Sequence, residues 1–204
     1  MHHRSVAALV MVAAFARQPA SAERCPTAAD MPKGVTLRQG NSTIHIKATG
    51  EHEIRTETTT KGVGTFVDTT YDGLVPIGSG QVLADGDTTR RFVYPTDYRT
   101  FRPEPGQSFT YDTVYWTGGW FFGVESTDTT NLKVVGRDTV RIGDCSYSTV
   151  VIEKIVAEGM RGIMSDQVPE PRLFRLQFSP DLRVVLYSHR AILTPIVPDS
   201  FTAD

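Results

Sequence analysis

The sequence predicts an all-β domain, either an antiparallel open barrel or a curved-sheet sandwich, with few or no helices beyond an N-terminal export signal. Three observations predict it. Short segments alternate apolar and polar residues with period two. Turn residues separate them about every eight to twelve positions. The 3.6-residue periodicity of an amphipathic helix is nearly absent.

The elements follow in order. Residues 23–34 are polar, carry Pro26, Pro32 and Gly34, and read as an irregular lead-in. Ser42 to Ala48 sets Ile44, Ile46 and Ala48 on one face, the pattern of a half-buried strand. Glu53 to Thr60 is polar but rich in threonine, a good strand former, and reads as an edge strand or an exposed hairpin arm. Val63 to Tyr71 is a further strand, ended by the hairpin dipeptide Asp72-Gly73. Gly78-Ser79-Gly80 reads as a break between two short strands, and Asp85-Gly86-Asp87 as a turn before Arg91 to Tyr94. Residues 95–107, with Pro95, Pro103, Pro105 and Gly106, form the longest irregular connection. Phe109 to Tyr115 alternates strongly. Trp120 to Val124 and Asn131 to Val135 read as short strands on either side of a threonine-rich loop. Tyr147 to Ala157 is the longest β-branched run and the expected central strand. Phe174 to Phe178, a turn at Ser179-Pro180-Asp181, and Leu182 to His189 form a closing hairpin. Ala157 to Val168 has room for one or two helical turns. The expected organisation is a cleaved signal at 1–22, one β-rich domain over 23–194, and a frayed tail over 195–204.

The signal is read from order and length. His2, His3 and Arg4 precede an apolar run from Val6 to Ala16; Pro19 then breaks the chain, and Ala20-Ser21-Ala22 is a small-x-small cleavage site. A run of about eleven residues is too short to span a bilayer, which takes about twenty. Glu23 and Arg24 stand where a lipoprotein needs small residues, so Cys25 is not read as a lipidation site. Cleavage removes Arg4 and Arg17 and no acid, taking the formal charge from -2 to about -4. That mild acidity, with no Lys or Arg run, argues against nucleic-acid binding and against an anionic-lipid patch. The expected location is the periplasm or the exterior.

Cys25 and Cys145 are the only cysteines. In an oxidising compartment two cysteines most simply form one disulfide. The loop closed would span about 120 residues, for which the chain-entropy model assigns roughly 4–5 kcal/mol. The alternative is a nucleophilic Cys145 with His45, His52 or His189 as its base.

The densest side-chain feature is aromatic: Tyr111, Tyr115, Trp116, Trp120, Phe121 and Phe122. Tyr111, Tyr115, Trp116 and Trp120 are the candidate ligand-binding residues, as rings that line an apolar pocket or stack on a sugar; the alternative is that the rings are core. His45 and His52 flank a turn, with Glu51 and Glu53 nearby, but they lack the spacing of a tight two-ligand zinc motif. Asp85-Gly86-Asp87 supplies too few carboxylates for a calcium loop. Gly78-Ser79-Gly80 has no lysine and no following helix, so it is not a phosphate loop. No catalytic residue, metal or cofactor is expected.

The order Val134-Val135-Gly136-Arg137-Asp138-Thr139-Val140, a Gly-containing turn, an apolar strand from Tyr147 to Ile155, and Phe178-Ser179-Pro180-Asp181-Leu182-Arg183-Val184-Val185 resembles exported proteins of Gram-negative bacteria. Those proteins have an open barrel broadly similar to the periplasmic lipoprotein carriers LolA and LolB. The resemblance covers about residues 130–190 and implies an open β-barrel, with no functional residue carried over. The turn departs from the pattern at Ile142-Gly143-Asp144-Cys145, and no amphipathic lid helix is readable. The expected function is a non-catalytic binding module for an apolar or amphipathic ligand or a protein partner. The alternatives are a carbohydrate-binding module with an aromatic platform, or a hydrolase.

Overall fold

The computed structural model describes residues 24–82, 89–119, 122–159, 170–190 and 198–204. The expected signal, residues 1–22, lies outside them. One sheet holds β1 (Val35–Gln39), β2 (Ser42–Ala48), β3 (Glu53–Thr60), β4 (Gly64–Tyr71), β5 (Val75–Val82) and β12 (Ser200–Ala203). The other holds β6 (Thr89–Val93), β7 (Ser108–Gly119), β8 (Phe122–Ile142), β9 (Cys145–Glu158), β10 (Arg172–Ser179) and β11 (Val184–Arg190). The orders are β12-β1-β2-β3-β4-β5 and β11-β10-β9-β8-β7-β6. The architecture is therefore all-β, two antiparallel six-stranded sheets that do not close into a barrel. Apart from the crossing between sheets after β5, consecutive strands from β1 to β11 are neighbours, the short-range connectivity hairpin turns enforce. Only β12 returns from afar, to lie beside β1.

Several elements differ from the sequence expectation. The tail expected to fray is partly a strand: Phe201 is 5% exposed and Ser200–Ala203 pairs with β1. The Gly78-Ser79-Gly80 break is absent, because β5 runs through it opposite β4. The threonine-rich loop between two short strands is instead the middle of β8, a single strand of 21 residues. Nor is β3 an edge or an exposed arm, since β2 and β4 flank it on both sides. Of Ala157 to Val168, where helical turns had room, Ala157 and Glu158 belong to β9 instead, and residues 160–168 lie outside the described residues. Irregular structure over 95–107 is as expected, with one 3-10 turn, Tyr98–Thr100, begun by Asp97 accepting from the Arg99 amide.

Facing side chains form two apolar clusters. The first joins Val35, Leu37, Ile46 and Ile54 of one sheet to Tyr147, Val184 and Leu186 of the other. The lead-in belongs to it: Met31 is fully buried, and Cys25 is bonded to Cys145 with 5.5 Å between their Cα atoms. The second cluster lies mainly on the second sheet, with Phe109, Leu132, Ile152, Leu176 and Phe178, and it reaches Val75 of β5. The 94–107 connection covers its end with rings. Tyr94 and Tyr98 lie 4.7 Å apart, and Phe101 and Phe109 5.4 Å apart, between centroids. The Tyr94 hydroxyl donates to the Pro76 carbonyl across the sheets.

A clasp joins the sheets at one end. Asp72, Gly73 and Arg183 all have positive φ, at 46°, 76° and 55°. A Cβ on Gly73 would fall 1.7 Å from the Arg183 carbonyl oxygen, so only glycine fits there. The Arg183 guanidinium donates to the Glu51 carbonyl and reaches Asp72 at 3.5 Å. His52 completes the clasp, 3.0 Å from Asp72 and stacked on Tyr71 at 5.0 Å.

Two outcomes are expected in urea unfolding. Gly73→Ala lowers stability by about 1–3 kcal/mol or more, as overpacking against a backbone atom does. Joint replacement of Cys25 and Cys145 by serine lowers it by about 2–5 kcal/mol. An unchanged midpoint for either variant contradicts the role assigned to that contact.

Candidate functional site

Between the two clusters the sheets do not fill the space they enclose. Strand register shows why, because residues paired on adjacent strands share a face. On the first sheet one inward row reads Leu37, Ile44, Thr58 and Phe66, and the next reads Val35, Ile46, Thr56 and Asp68. The apolar bulk of β1 and β2 thus gives way to short hydroxylated side chains on β3 and to a carboxylate on β4. Threonine satisfies the strand backbone but fills less volume than isoleucine or leucine.

The second sheet changes along its strands. One inward row is Leu176, Ile152 and Val134, and the next is Phe174, Lys154, Leu132 and Phe109. The row after that is Arg172, Val156, Thr130 and Tyr111. Then come Glu158, Asp128 and Thr113. The inner face therefore passes from apolar to polar and ionised over four pairs.

The result is a cleft of two adjoining compartments. The first, of about 510 Å³, is walled by Ile46, Ile54, Thr56 and Thr58 of one sheet and by Leu132, Leu176 and Leu186 of the other. Gly73 and Arg183 of the clasp lie at its margin. The second, of about 320 Å³, is polar and ionised, with Thr113, Asp128, Thr130 and Arg172. Asp68, Thr70, Leu74, Tyr111 and Lys154 line both. The larger volume lies in the range of small-molecule sites, roughly 300–1,000 Å³.

Charge in the polar compartment is largely answered from within. Arg172 and Glu158 pair at 2.5 Å. Asp68, Asp128 and Lys154 each engage another group of the protein. The Arg172 Nε is buried and has no hydrogen-bond partner among the described residues. Burial pushes the Tyr111 hydroxyl up to about 12; the negative charge of Asp68 adds to that, and the hydrogen bond with Thr130 opposes it. Tyr111 thus presents a neutral phenol to the cleft across the physiological range.

The candidate residues separate. Tyr111 and Tyr115 line the polar compartment, and Tyr111 is also part of the second apolar cluster, so it serves as both core and wall. Trp116 lies in β7 opposite Glu125, but its side chain, and Trp120 altogether, lie outside the described residues. The aromatic platform expected of a carbohydrate module falls there too, as does Asp85-Gly86-Asp87. The Cys145 sulfur is bonded to Cys25, which removes it as a thiol nucleophile. His45 and His52 do not converge. The Nδ1 of His45 lies 2.8 Å from the Thr36 hydroxyl, which donates to Asp204, whereas His52 belongs to the clasp. Among the described residues no three His, Cys, Asp or Glu side chains are grouped to hold a metal. The cleft residues that sequence reasoning missed are Asp68, Asp128, Thr130, Lys154 and Arg172. Their signal was negative: polar residues interrupting an otherwise alternating strand.

Fold and site together define a β-sandwich with an amphipathic cleft between its sheets. No family model matches the chain, and no curated protein matches it. Among solved structures it is similar to the hypothetical lipoprotein YmcC from Escherichia coli K12. The TM-score is 0.45 at 10% identity, covering 86% of this chain and 87% of that one. A likeness of this degree assigns neither ligand nor site, and none of the comparisons shows a relation to LolA or LolB.

Buried tyrosines make stability depend on high pH. Tyr94, Tyr111 and Tyr147 are each raised from 10 to about 12, first of all by burial. Their contribution is complete below the unfolded value near 10 and is lost as pH rises through about 12. The melting temperature is therefore expected to fall between pH 10 and 12, and less steeply in Tyr111→Phe. Equal slopes in the two proteins contradict the assignment to Tyr111.

Proposed function

We propose that this is an exported, non-catalytic binding protein that holds an amphipathic small molecule between its sheets. The observation that carries the reading is the lining of the cleft, whose apolar compartment opens directly into one with ionised and hydroxylated walls. A closed packing of either end would leave room for neither half of such a ligand. Export is supported by the sequence of residues 1–22 and by the cystine, which persists in oxidising compartments. In this reading residues 23–204 are the mature chain, with the disulfide tying the lead-in to β9.

The test uses the full chain, expressed with its leader and purified without detergent. Native mass spectrometry is expected to give a mass lacking residues 1–22 and two hydrogens, with a noncovalent adduct that leaves on denaturation. Purified protein is expected to bind N-phenyl-1-naphthylamine, an apolar fluorescent probe, with a dissociation constant in about the micromolar range. Thr56→Trp fills the first compartment from a half-buried strand position and is expected to weaken that binding about tenfold or more while the fold is kept. Probe binding indifferent to Thr56→Trp overturns the reading.

A further inference from the structure

Resting on that binding reading, we propose that the polar compartment takes an uncharged, polyhydroxylated head group, a glycosyl unit carried on an apolar tail. Charge complementarity sets the choice. A phosphate or carboxylate head would enter a space whose wall includes Asp68 and Asp128. A quaternary ammonium head would face Lys154 and Arg172 in the same space. Both signs stand in that wall, Arg172 is paired with Glu158, and Asp68, Asp128 and Lys154 are engaged within the protein, so a charged head of either sign meets a like charge there. Like charges brought together in a partly dry cleft disfavour binding, and salt screens them little there.

Hydrogen-bonding capacity, by contrast, is abundant. Thr113 brings a hydroxyl that both donates and accepts, the Thr70 and Thr130 hydroxyls keep capacity beyond their bonds to the Ile54 carbonyl and to Tyr111, and carboxylates accept from sugar hydroxyls without needing a cation. Phe92, Tyr115 and Phe174 add aromatic surface to the same compartment, on which the C–H face of a pyranose can pack. An acyl or prenyl tail would then lie along Ile46, Ile54 and Leu132 in the first compartment.

The experiment compares dodecyl β-maltoside, dodecylphosphocholine and dodecyl phosphate by calorimetry on the mature protein, each below its micelle concentration, with N-phenyl-1-naphthylamine reporting on the apolar compartment alone. The maltoside is expected to bind at least about tenfold more tightly than either charged chain. Thr113→Val, which removes one hydroxyl of the polar compartment at nearly constant shape, is expected to weaken maltoside binding several-fold to tenfold, and naphthylamine binding by much less. If a charged chain binds as well as the maltoside, or no dodecyl chain binds while the naphthylamine does, the head-group proposal falls and the binding reading stands. If the naphthylamine does not bind, or binds Thr56→Trp equally well, the binding reading falls and the head-group proposal falls with it.

Discussion

The structure depends on a mismatch between two facing sheets. Threonine at positions 56, 58 and 70 keeps β3 and β4 extended and hydrogen-bonded, yet these side chains are too short to meet the opposite wall. Strand formation and core filling are usually satisfied by the same β-branched apolar residues. Here the two requirements are separated, and the ladder is kept while the volume is not. The space is maintained because apolar clusters on either side of it hold the sheets in register. The clasp at Gly73 and Arg183 and the Tyr94–Pro76 hydrogen bond fix the separation at particular points.

The first cluster draws on the ends of the chain. Met31 of the lead-in and Phe201 of β12 both pack into it, and Cys25 is bonded to the first residue of β9. A sheet edge made only of β1 and β2 would leave Val35 and Leu37 with one flank open. The late strand β12 and the stapled lead-in cover that flank. The edge passes to β12, which has only four residues, and a very short edge strand offers little backbone for pairing with another chain.

Where the sequence was legible, one rule sufficed. Ile44, Ile46 and Ala48 alternate inward in β2, and Phe109, Tyr111, Thr113 and Tyr115 share the inner face of β7. Where reading failed, it failed at the cleft. Residues 126–130 looked like a loop because Ser126, Asp128 and Thr130, though buried, are polar, and a polar inward row erases the contrast that period two needs. Glu53 to Thr60 looked like an exposed arm for the same reason, since Thr56 and Thr58 face the cleft. Gly78-Ser79-Gly80 looked like a break because glycine is poor in strands, but pairing with β4 overrides that propensity. The β12 strand was hidden by Pro195 and Pro198 and by its length of only four residues. The clasp could be read only as a hairpin dipeptide, because its partner Arg183 lies 110 residues away from Gly73.

These failures share a physical cause. Folding consistency asks each buried position to agree with its strand, its face and its neighbours, and natural chains break that agreement mainly where function needs it. A buried Asp128, a Lys154 in a row with Phe174 and Leu132, and an Arg172 Nε without an acceptor each carry a desolvation cost that an apolar side chain of similar size would avoid. Had the chain needed only a stable sandwich, valine or leucine at positions 56, 128 and 130 would fill the space and strengthen the core. The polar residues instead lie together, on facing walls of one cleft and at one end of it. A cost so localised is the feature on which the proposed binding reading rests. That is why the inner face, and not the outer surface or the histidines, is the part of this molecule on which function should be tested.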